Sequence, residues 1–179
     1  MKIIYHGILK HLNKHLDIYA SDEGLVFVGS FDKEDEIHHF ISNIEIKENQ
    51  DKVKPYIDQL NEYFNGTRKT FDLKIGINST PFNETVWQAL TKIPYGETTT
   101  YSDLANKINK PSAVRAVASA VGKNPLNIVI PCHRVIGKDG QLRGYRGGLE
   151  MKQSLLELES RHTHLGSDPP KLEFSALSN

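Results

Sequence analysis

The only cysteine of the chain, Cys132, lies in the segment NIVIPCHRVIG (residues 127–137), directly before two basic side chains. A free cysteine is most often a small buried hydrophobic residue, and the apolar residues 128–130 favour that role here. A thiol becomes a nucleophile when a neighbouring cation or histidine lowers its pKa, and His133 and Arg134 adjoin this one. The residues alone therefore leave two roles open for Cys132, a packing residue and a nucleophile.

Adjacent side chains of an extended strand point to opposite faces. Cys132 and His133 can therefore interact only if the chain turns after Pro131. The sequence predicts that the short apolar segment 127–131 is a buried strand and that Pro131 ends it.

The cysteine count limits the remaining chemistry. One cysteine excludes an internal disulfide and any zinc site built from several thiolates, and a reducing, cytoplasmic setting fits it best. The pairs His11/His15 and His162/His164 lack nearby cysteines or carboxylate pairs, so we interpret them as surface histidines. We expect neither a metal nor a cofactor.

The helical elements that must position Cys132 begin near residue 79. Thr80 and Pro81 predict the start of a helix, and a second helix follows over 101–109 with its cap near Thr99 or Thr100. A third follows Ser112 and ends at Asn124. Two short helices joined by NKPS are typical of a helix-turn-helix, and an amphipathic helix closes the region over 149–160.

The first half of the chain has a different pattern. Residues 14–31 alternate as a β-hairpin that turns at Gly24. Periodic apolar residues predict helices over 35–44 and 55–67, and residues 70–77 return to strand alternation. The sequence therefore predicts an α/β (α+β) fold, with a small α/β domain at 1–78, a mostly helical domain at 79–165 in which a short strand leads to Cys132, and a loosely held tail at 166–179.

Charge is distributed unevenly although the net charge is zero. Residues 81–152 contain ten basic and five acidic side chains, so this segment is positive and the remainder equally negative. Such asymmetry is compatible with a polyanionic partner. The basic and histidine residues within the first 15 positions, and the lack of any run near the ~20 apolar residues of a membrane span, favour no membrane association.

The string IPCHRVIG, followed by GYRGG, resembles the O6-alkylguanine-DNA alkyltransferase family. The resemblance extends through TPFNETVWQALTKIPYGETTTYSDLA, AVRAVASAVGKNP and the last helix, over residues 80–160. It implies that a ribonuclease H-like α/β domain comes first. It also implies single use: an alkyl group moves irreversibly from O6-alkylguanine, and from O4-alkylthymine, in double-stranded DNA to Cys132 of a monomeric protein that needs no cofactor.

The resemblance also implies residue roles. Cys132 is the acceptor, His133 the base acting through a water, Glu159 the carboxylate that orients His133, and Tyr101 the proton donor to the purine. Arg115 fills the space left by a base rotated out of the duplex. The remaining positions implied to bind DNA or the base are Ala116, Ala118, Ser119, Asn124, Val135, Tyr145 and Arg146.

Three positions depart from the family pattern. Ala118 stands where glycine is usual and thickens the face meant for DNA. Arg146 stands where a small residue is usual, and it either adds a phosphate contact or narrows the pocket. Asn127 is at a variable position that is expected to line the pocket.

Three other functions fit parts of the sequence. A lesion-binding or regulatory helix-turn-helix protein would use Cys132 only structurally, although alkyltransferase-like proteins that bind without repair lack this cysteine. A cysteine hydrolase would use Cys132 and His133 with turnover. A structural or partner-binding protein is supported only by the divergent first half.

Overall fold

The computed structural model describes residues 1–163 and 170–174, and a six-stranded mixed sheet forms the first part of the fold. The strand order is β4-β1-β2-β3-β5-β8. The strands are β1 Lys2–His11, β2 Lys14–Ser21, β3 Gly24–Val28, β4 Ile44–Glu48, β5 Asp72–Ile75 and β8 Lys171–Phe174. The predicted hairpin is confirmed as β2 and β3, which pair antiparallel.

One helix covers this sheet. Helix α1 (Gln50–Phe64) begins at the Asn49 cap, whose side chain accepts from the backbone N–H of Lys52. It buries Val53, Ile57 and Leu60. Gly66 follows the helix with a φ of 78°, a conformation that favours glycine. The prediction of a helix over 55–67 is confirmed, although the helix starts five residues earlier.

Two predictions for this domain are wrong. Residues 35–44 form only a short 3₁₀ turn at Glu36–His39, because Asp35 and Asn43 adopt positive φ and Ile44 already pairs with β1. The predicted loose tail at 166–179 instead contains strand β8, which is parallel to β5. Residues 164–169 and 175–179 lie outside the described residues.

The second part is mostly helical. Its elements are α2 Pro81–Thr91, β6 Thr99–Thr100, α3 Tyr101–Lys107, α4 Val114–Gly122, β7 Val135–Ile136 and α5 Leu149–Arg161. The predicted caps Thr80 and Thr100 are confirmed, since each hydroxyl accepts from a backbone N–H three residues ahead. The predicted Ser112 cap is wrong, because α4 begins after Ala113 without a side-chain cap.

The predicted strand at 127–131 is also wrong. Residues 127–131 form an irregular turn in which the backbone N–H of Val129 donates to the carbonyl of Asn127, 2.8 Å away. The paired strand, β7, follows Cys132 rather than leading to it, and it lies parallel to β6. Across the described residues, no helix has the length and apolar character that a membrane span requires.

Candidate active site

Asn124 holds the turn that presents Cys132. Its amide nitrogen donates to the carbonyl of Ile130 at 2.7 Å, and its amide oxygen accepts from the backbone N–H of Leu126 at 2.9 Å. Ile128 has a φ of 74°, which is rare for a β-branched residue. The buried amide of Asn124 therefore compensates a strained loop by satisfying its backbone groups.

Cys132 is the first residue of a single 3₁₀ turn, Cys132–Arg134, and is only 6% exposed. Burial raises the pKa of the Cys132 thiol, and the Asn124 amide together with the positive charges of Arg146 and Lys152 offsets part of that rise. The nearby positive charges are therefore not enough to hold Cys132 as a thiolate. A base is needed to remove its proton.

His133 has the properties of such a base. Its ring is fully buried, and Nε2 lies 2.6 Å from Oε2 of Glu159. A carboxylate only accepts hydrogen bonds, so we assign the ring proton to Nε2. Nδ1 is then an acceptor, and it is buried with no hydrogen-bond partner among the described residues. Burial lowers the pKa of His133, so the ring is neutral at neutral pH.

Arg134 completes the charge balance around Glu159. Its Nε and Nη2 donate to the two carboxylate oxygens at 2.8 and 3.0 Å, a bidentate pair that is buried. Burial alone would raise the pKa of Glu159, but His133 and Arg134 together hold it well below its usual range. Sequence reasoning named Arg134 as a basic neighbour of Cys132 but did not identify it as the partner of Glu159.

Lys152 is a second residue that sequence reasoning missed. It is fully buried, and its ammonium donates to the carbonyls of Val135 at 2.6 Å and Arg143 at 2.9 Å. Burial lowers its pKa to about 8. A signal for it existed, because Lys152, Leu155 and Glu159 recur at helical spacing on one face and so place two charges on the buried side of α5.

A small cavity of about 90 Å³ brings half of the predicted site residues together around the thiol. Its lining residues are Tyr101, Ala118, Val121, Gly122, Asn124, Cys132, Gly144, Tyr145 and Arg146. Tyr101 is the first residue of α3, and burial raises the pKa of its hydroxyl. The hydroxyl of Tyr145 is buried without a partner among the described residues.

Six predicted residues lie outside this cavity, namely the buried pair of His133 and Glu159 and four others. Arg115, Ala116 and Ser119 are exposed on the outer face of α4, whereas Val117 and Ala120 on the opposite face are buried. Val135 is buried, and its carbonyl accepts from Lys152. The structure thus separates a small-residue surface on α4 from the thiol cavity behind it.

For Arg146 one of the two expected roles is wrong, and the expectation for Asn127 is wrong. The side chain of Arg146 turns away from solvent towards the first domain, where it pairs with Glu36 at 3.3 Å and donates to the carbonyl of Val28 at 2.9 Å. The expected phosphate contact is therefore wrong, whereas a narrowed pocket agrees with the place of Arg146 in the cavity lining. Asn127 is fully buried and donates to the carbonyl of Gly29 at 3.1 Å, so it does not line the cavity.

The predicted surface histidines are partly described. His11 stacks on Phe64 with ring centroids 4.4 Å apart, and His162 Nδ1 lies 2.9 Å from the carbonyl of Leu158. His164 is outside the described residues. Within residues 1–163 and 170–174, no group of three or more His, Cys, Asp or Glu side chains is arranged to hold a metal.

Comparison with known proteins accounts for both parts of the fold. The model for the ribonuclease-like domain of 6-O-methylguanine DNA methyltransferase matches residues 5–77, and the model for its DNA-binding domain matches residues 81–161. The chain belongs to the 6-O-methylguanine DNA methyltransferase family.

Individual methyltransferases are similar over most of the chain. The inducible methylated-DNA–protein-cysteine methyltransferase of Bacillus subtilis (strain 168) is 46% identical over 88% of this chain and 91% of its own length. The Methanosarcina barkeri enzyme is 50% identical over 64% of this chain and 73% of its own. The structure of Mycobacterium tuberculosis OGT in complex with DNA superposes with a TM-score of 0.75 at 35% identity, covering 89% of this chain and 94% of that one.

Proposed function

We propose that the chain repairs alkylated DNA by transferring the alkyl group from O6 of guanine to Cys132. The observation that supports this most directly is the cavity in which the thiol, Tyr101 and Tyr145 meet. His133 follows Cys132 in the chain and pairs with Glu159, and neither of the two lines this cavity. This arrangement provides a nucleophile, a base and a group that orients the base.

The bond changes balance without a cofactor. The Cys132 proton passes through a water to Nδ1 of His133, and the sulfur attacks the alkyl carbon. A C–S bond forms while the C–O6 bond breaks, and its electron pair moves onto the purine. The purine takes a proton from the Tyr101 hydroxyl, and the His133 proton then replaces that proton through solvent. The products are an S-alkylcysteine and unmodified guanine.

Delivery of the base to Cys132 requires that it leave the duplex, because the reacting atom is otherwise stacked and paired. The exposed small residues of α4, Ala116 and Ser119, allow close approach to a DNA groove, and Ala118 connects that surface to the cavity. Arg115 is exposed on the same face, and we assign to it the filling of the gap left by the rotated base. The partner is therefore double-stranded DNA that carries an alkylated base.

The reaction is single-use. A thioether is not opened by thiol exchange, and Cys132 is the only cysteine in the chain. O4-alkylthymine presents a similar oxygen-bound alkyl group and is proposed as a second substrate. We propose that the protein acts as a monomer in the cytoplasm.

The proposal is tested by peptide mass analysis after incubation with a duplex oligonucleotide that contains O6-methylguanine. One methyl group on the Cys132 peptide, and a yield that stops at one per protein when DNA is in excess, are expected. Continued turnover would indicate a hydrolase, and binding without transfer would indicate a lesion-binding protein.

Cys132→Ser is the matching variant. The hydroxyl is nearly isosteric with the thiol but much harder to ionise, so transfer should be abolished while binding to the same duplex is kept. An equal loss of binding and transfer would show that Cys132 has a folding role instead.

A further inference from the structure

Tyr63, in the last turn of α1, connects the first domain to the His133–Glu159 pair, the relay, of the second domain. Its side chain is fully buried, and its hydroxyl donates to Oε2 of Glu159 at 2.7 Å. Burial and the adjacent Glu159 charge raise the pKa of Tyr63 well above its ordinary value. The hydroxyl therefore keeps its proton and acts as a hydrogen-bond donor at neutral pH.

The hydrogen bonds from Tyr63 and from His133 share one acceptor atom. Both end on the same oxygen, Oε2 of Glu159, at 2.7 and 2.6 Å, and Nη2 of Arg134 is a third donor to it at 3.0 Å. The other oxygen accepts from Nε of Arg134 at 2.8 Å and from the backbone N–H of Gly96 at 3.2 Å. A carboxylate has about four lone-pair sites, so its acceptor capacity is fully used.

Every donor to Glu159 reduces the negative charge that stabilises a protonated His133. The other charged groups near His133, Arg134 and Lys152, also lower its pKa, whereas Glu159 raises it. His133 must be neutral to accept the thiol proton, so a weaker carboxylate extends the pH range in which it can act.

We propose that Tyr63 is a positioning residue of the transfer reaction, which fixes Glu159 and keeps His133 neutral through the hydrogen bond to Oε2. The first domain thus completes the relay of the second. This inference rests on the function proposed above, because it assigns a role in that reaction.

The decisive variant is Tyr63→Phe, which keeps the ring and removes only the hydroxyl. Without this donor, Glu159 stabilises the charged form of His133 more strongly, so the acid limb of the transfer rate should move to higher pH by about half to one unit. The measurement is the rate of methyl transfer from duplex O6-methylguanine between about pH 5 and 9.

Tyr95→Phe is the matched control. Tyr95 is a neighbouring buried tyrosine, with its ring centroid 6.2 Å from that of Tyr63, but its hydroxyl has no hydrogen-bond partner among the described residues. Tyr95→Phe removes the same atom from a nearby ring but takes no hydrogen bond away from Glu159. The pH profile of this variant should therefore match that of the wild type. Equal shifts in both variants would show that the effect is general loosening of the core, and would overturn the proposal.

Three further measurements keep the proposal testable even if Tyr63→Phe perturbs the fold. Difluorotyrosine at position 63 is a more acidic and stronger donor, so the limb should move to lower pH, opposite to Tyr63→Phe. A ¹⁵N titration of the His133 ring should give shifts of the same sign as the rate profiles. In a Glu159→Gln background, Tyr63→Phe should no longer change the pH profile.

The outcomes separate the two proposals. If the wild-type protein leaves Cys132 unmodified, the proposed function fails. If Cys132 is methylated but the two Tyr63 variants and the wild type give identical profiles, only the role of Tyr63 is refuted.

Discussion

Glu159 carries a negative charge at a position with no solvent exposure. A buried charge is tolerated when it is paired and hydrogen-bonded, and Glu159 meets this condition through Arg134, His133 and Tyr63. The carboxylate therefore serves stability and chemistry together, because Arg134 and Tyr63 keep it charged while its own oxygen accepts from Nε2 of His133 and so fixes the tautomer.

Glu159→Gln retains the shape of the side chain and removes its charge. We expect the rate of transfer to fall by about 10- to 1000-fold, because a neutral amide orients His133 less well and does not stabilise its protonated form. Arg134 loses its buried partner, which should also destabilise the fold by about 3–5 kcal/mol. The rate is measured at a temperature at which circular dichroism shows the variant folded.

The control for this change is Glu157→Gln on the exposed face of the same helix. It alters the same functional group outside the buried network and should leave both the rate and the unfolding free energy within experimental error. A wild-type rate in folded Glu159→Gln would show that this carboxylate does not assist His133.

Individual site residues differ in how far the sequence reveals them. Cys132 and His133 adjoin in one motif, so their proximity was predictable. Lys152 was detectable from its spacing to Glu159 on α5. Tyr63 was not, because it lies 96 residues from Glu159 and its contact depends on how the two domains pack.

At the scale of the elements, local signals predicted best where a cap or a turn residue decides the outcome. Thr80 and Thr100 fixed the starts of α2 and α3, and both hydroxyls cap as expected. The apolar run 127–131 led to a wrong prediction of a strand, because a buried turn can be as apolar as a buried strand. Here the amide of Asn124 substitutes for strand pairing, and no local pattern predicts that.

Helix α4 supplies a prediction about base rotation. Arg115→Ala should react normally with free O6-methylguanine base, which needs no extrusion from a duplex. It should react much more slowly with the lesion in duplex DNA, even when DNA is saturating, because removing a base from the stack costs a few kcal/mol and the side chain offsets part of this. Single-turnover rates at increasing DNA concentration measure the difference.

Lys110→Ala is the control for Arg115. Lys110 is an exposed cation in the connection between α3 and α4, so its removal should weaken binding and reduce the salt dependence by about one unit of slope. Saturating DNA should restore its full rate. If saturating DNA also restores the Arg115→Ala rate, Arg115 only contacts the backbone of the duplex.

Across the domain interface, the first domain contacts Arg146, which lines the thiol cavity, and supplies Tyr63, which bonds to Glu159. Arg146 lines this cavity, yet its guanidinium lies 4.6 Å from the ring centroid of Phe27 and 4.9 Å from that of Phe40, both in the first domain. Together with Tyr63, it makes the first domain part of the site. The sequence predicted the two domains but gave no sign of this interface, because its contacts join residues more than 90 positions apart.

Arg146 therefore supports a prediction about stability. Arg146→Ala removes the ion pair with Glu36, the hydrogen bonds to the carbonyls of Val28 and Pro125, and the contacts with two aromatic rings. Because the pair is almost entirely buried, we expect the free energy of unfolding to fall by about 2–4 kcal/mol. Urea denaturation followed by Trp87 fluorescence and by circular dichroism measures this loss.

Arg143→Ala, three residues earlier in the same loop, provides the comparison. Arg143 pairs with Asp139 at 2.7 Å, but both side chains are about half exposed, and such surface pairs contribute little to stability. The backbone carbonyl of Arg143 that Lys152 contacts is unchanged by the substitution. Equal losses in the two variants would show that Arg146 does not join the domains, whereas a loss confined to Arg146→Ala identifies its guanidinium as the link between the first domain and the loop over the thiol.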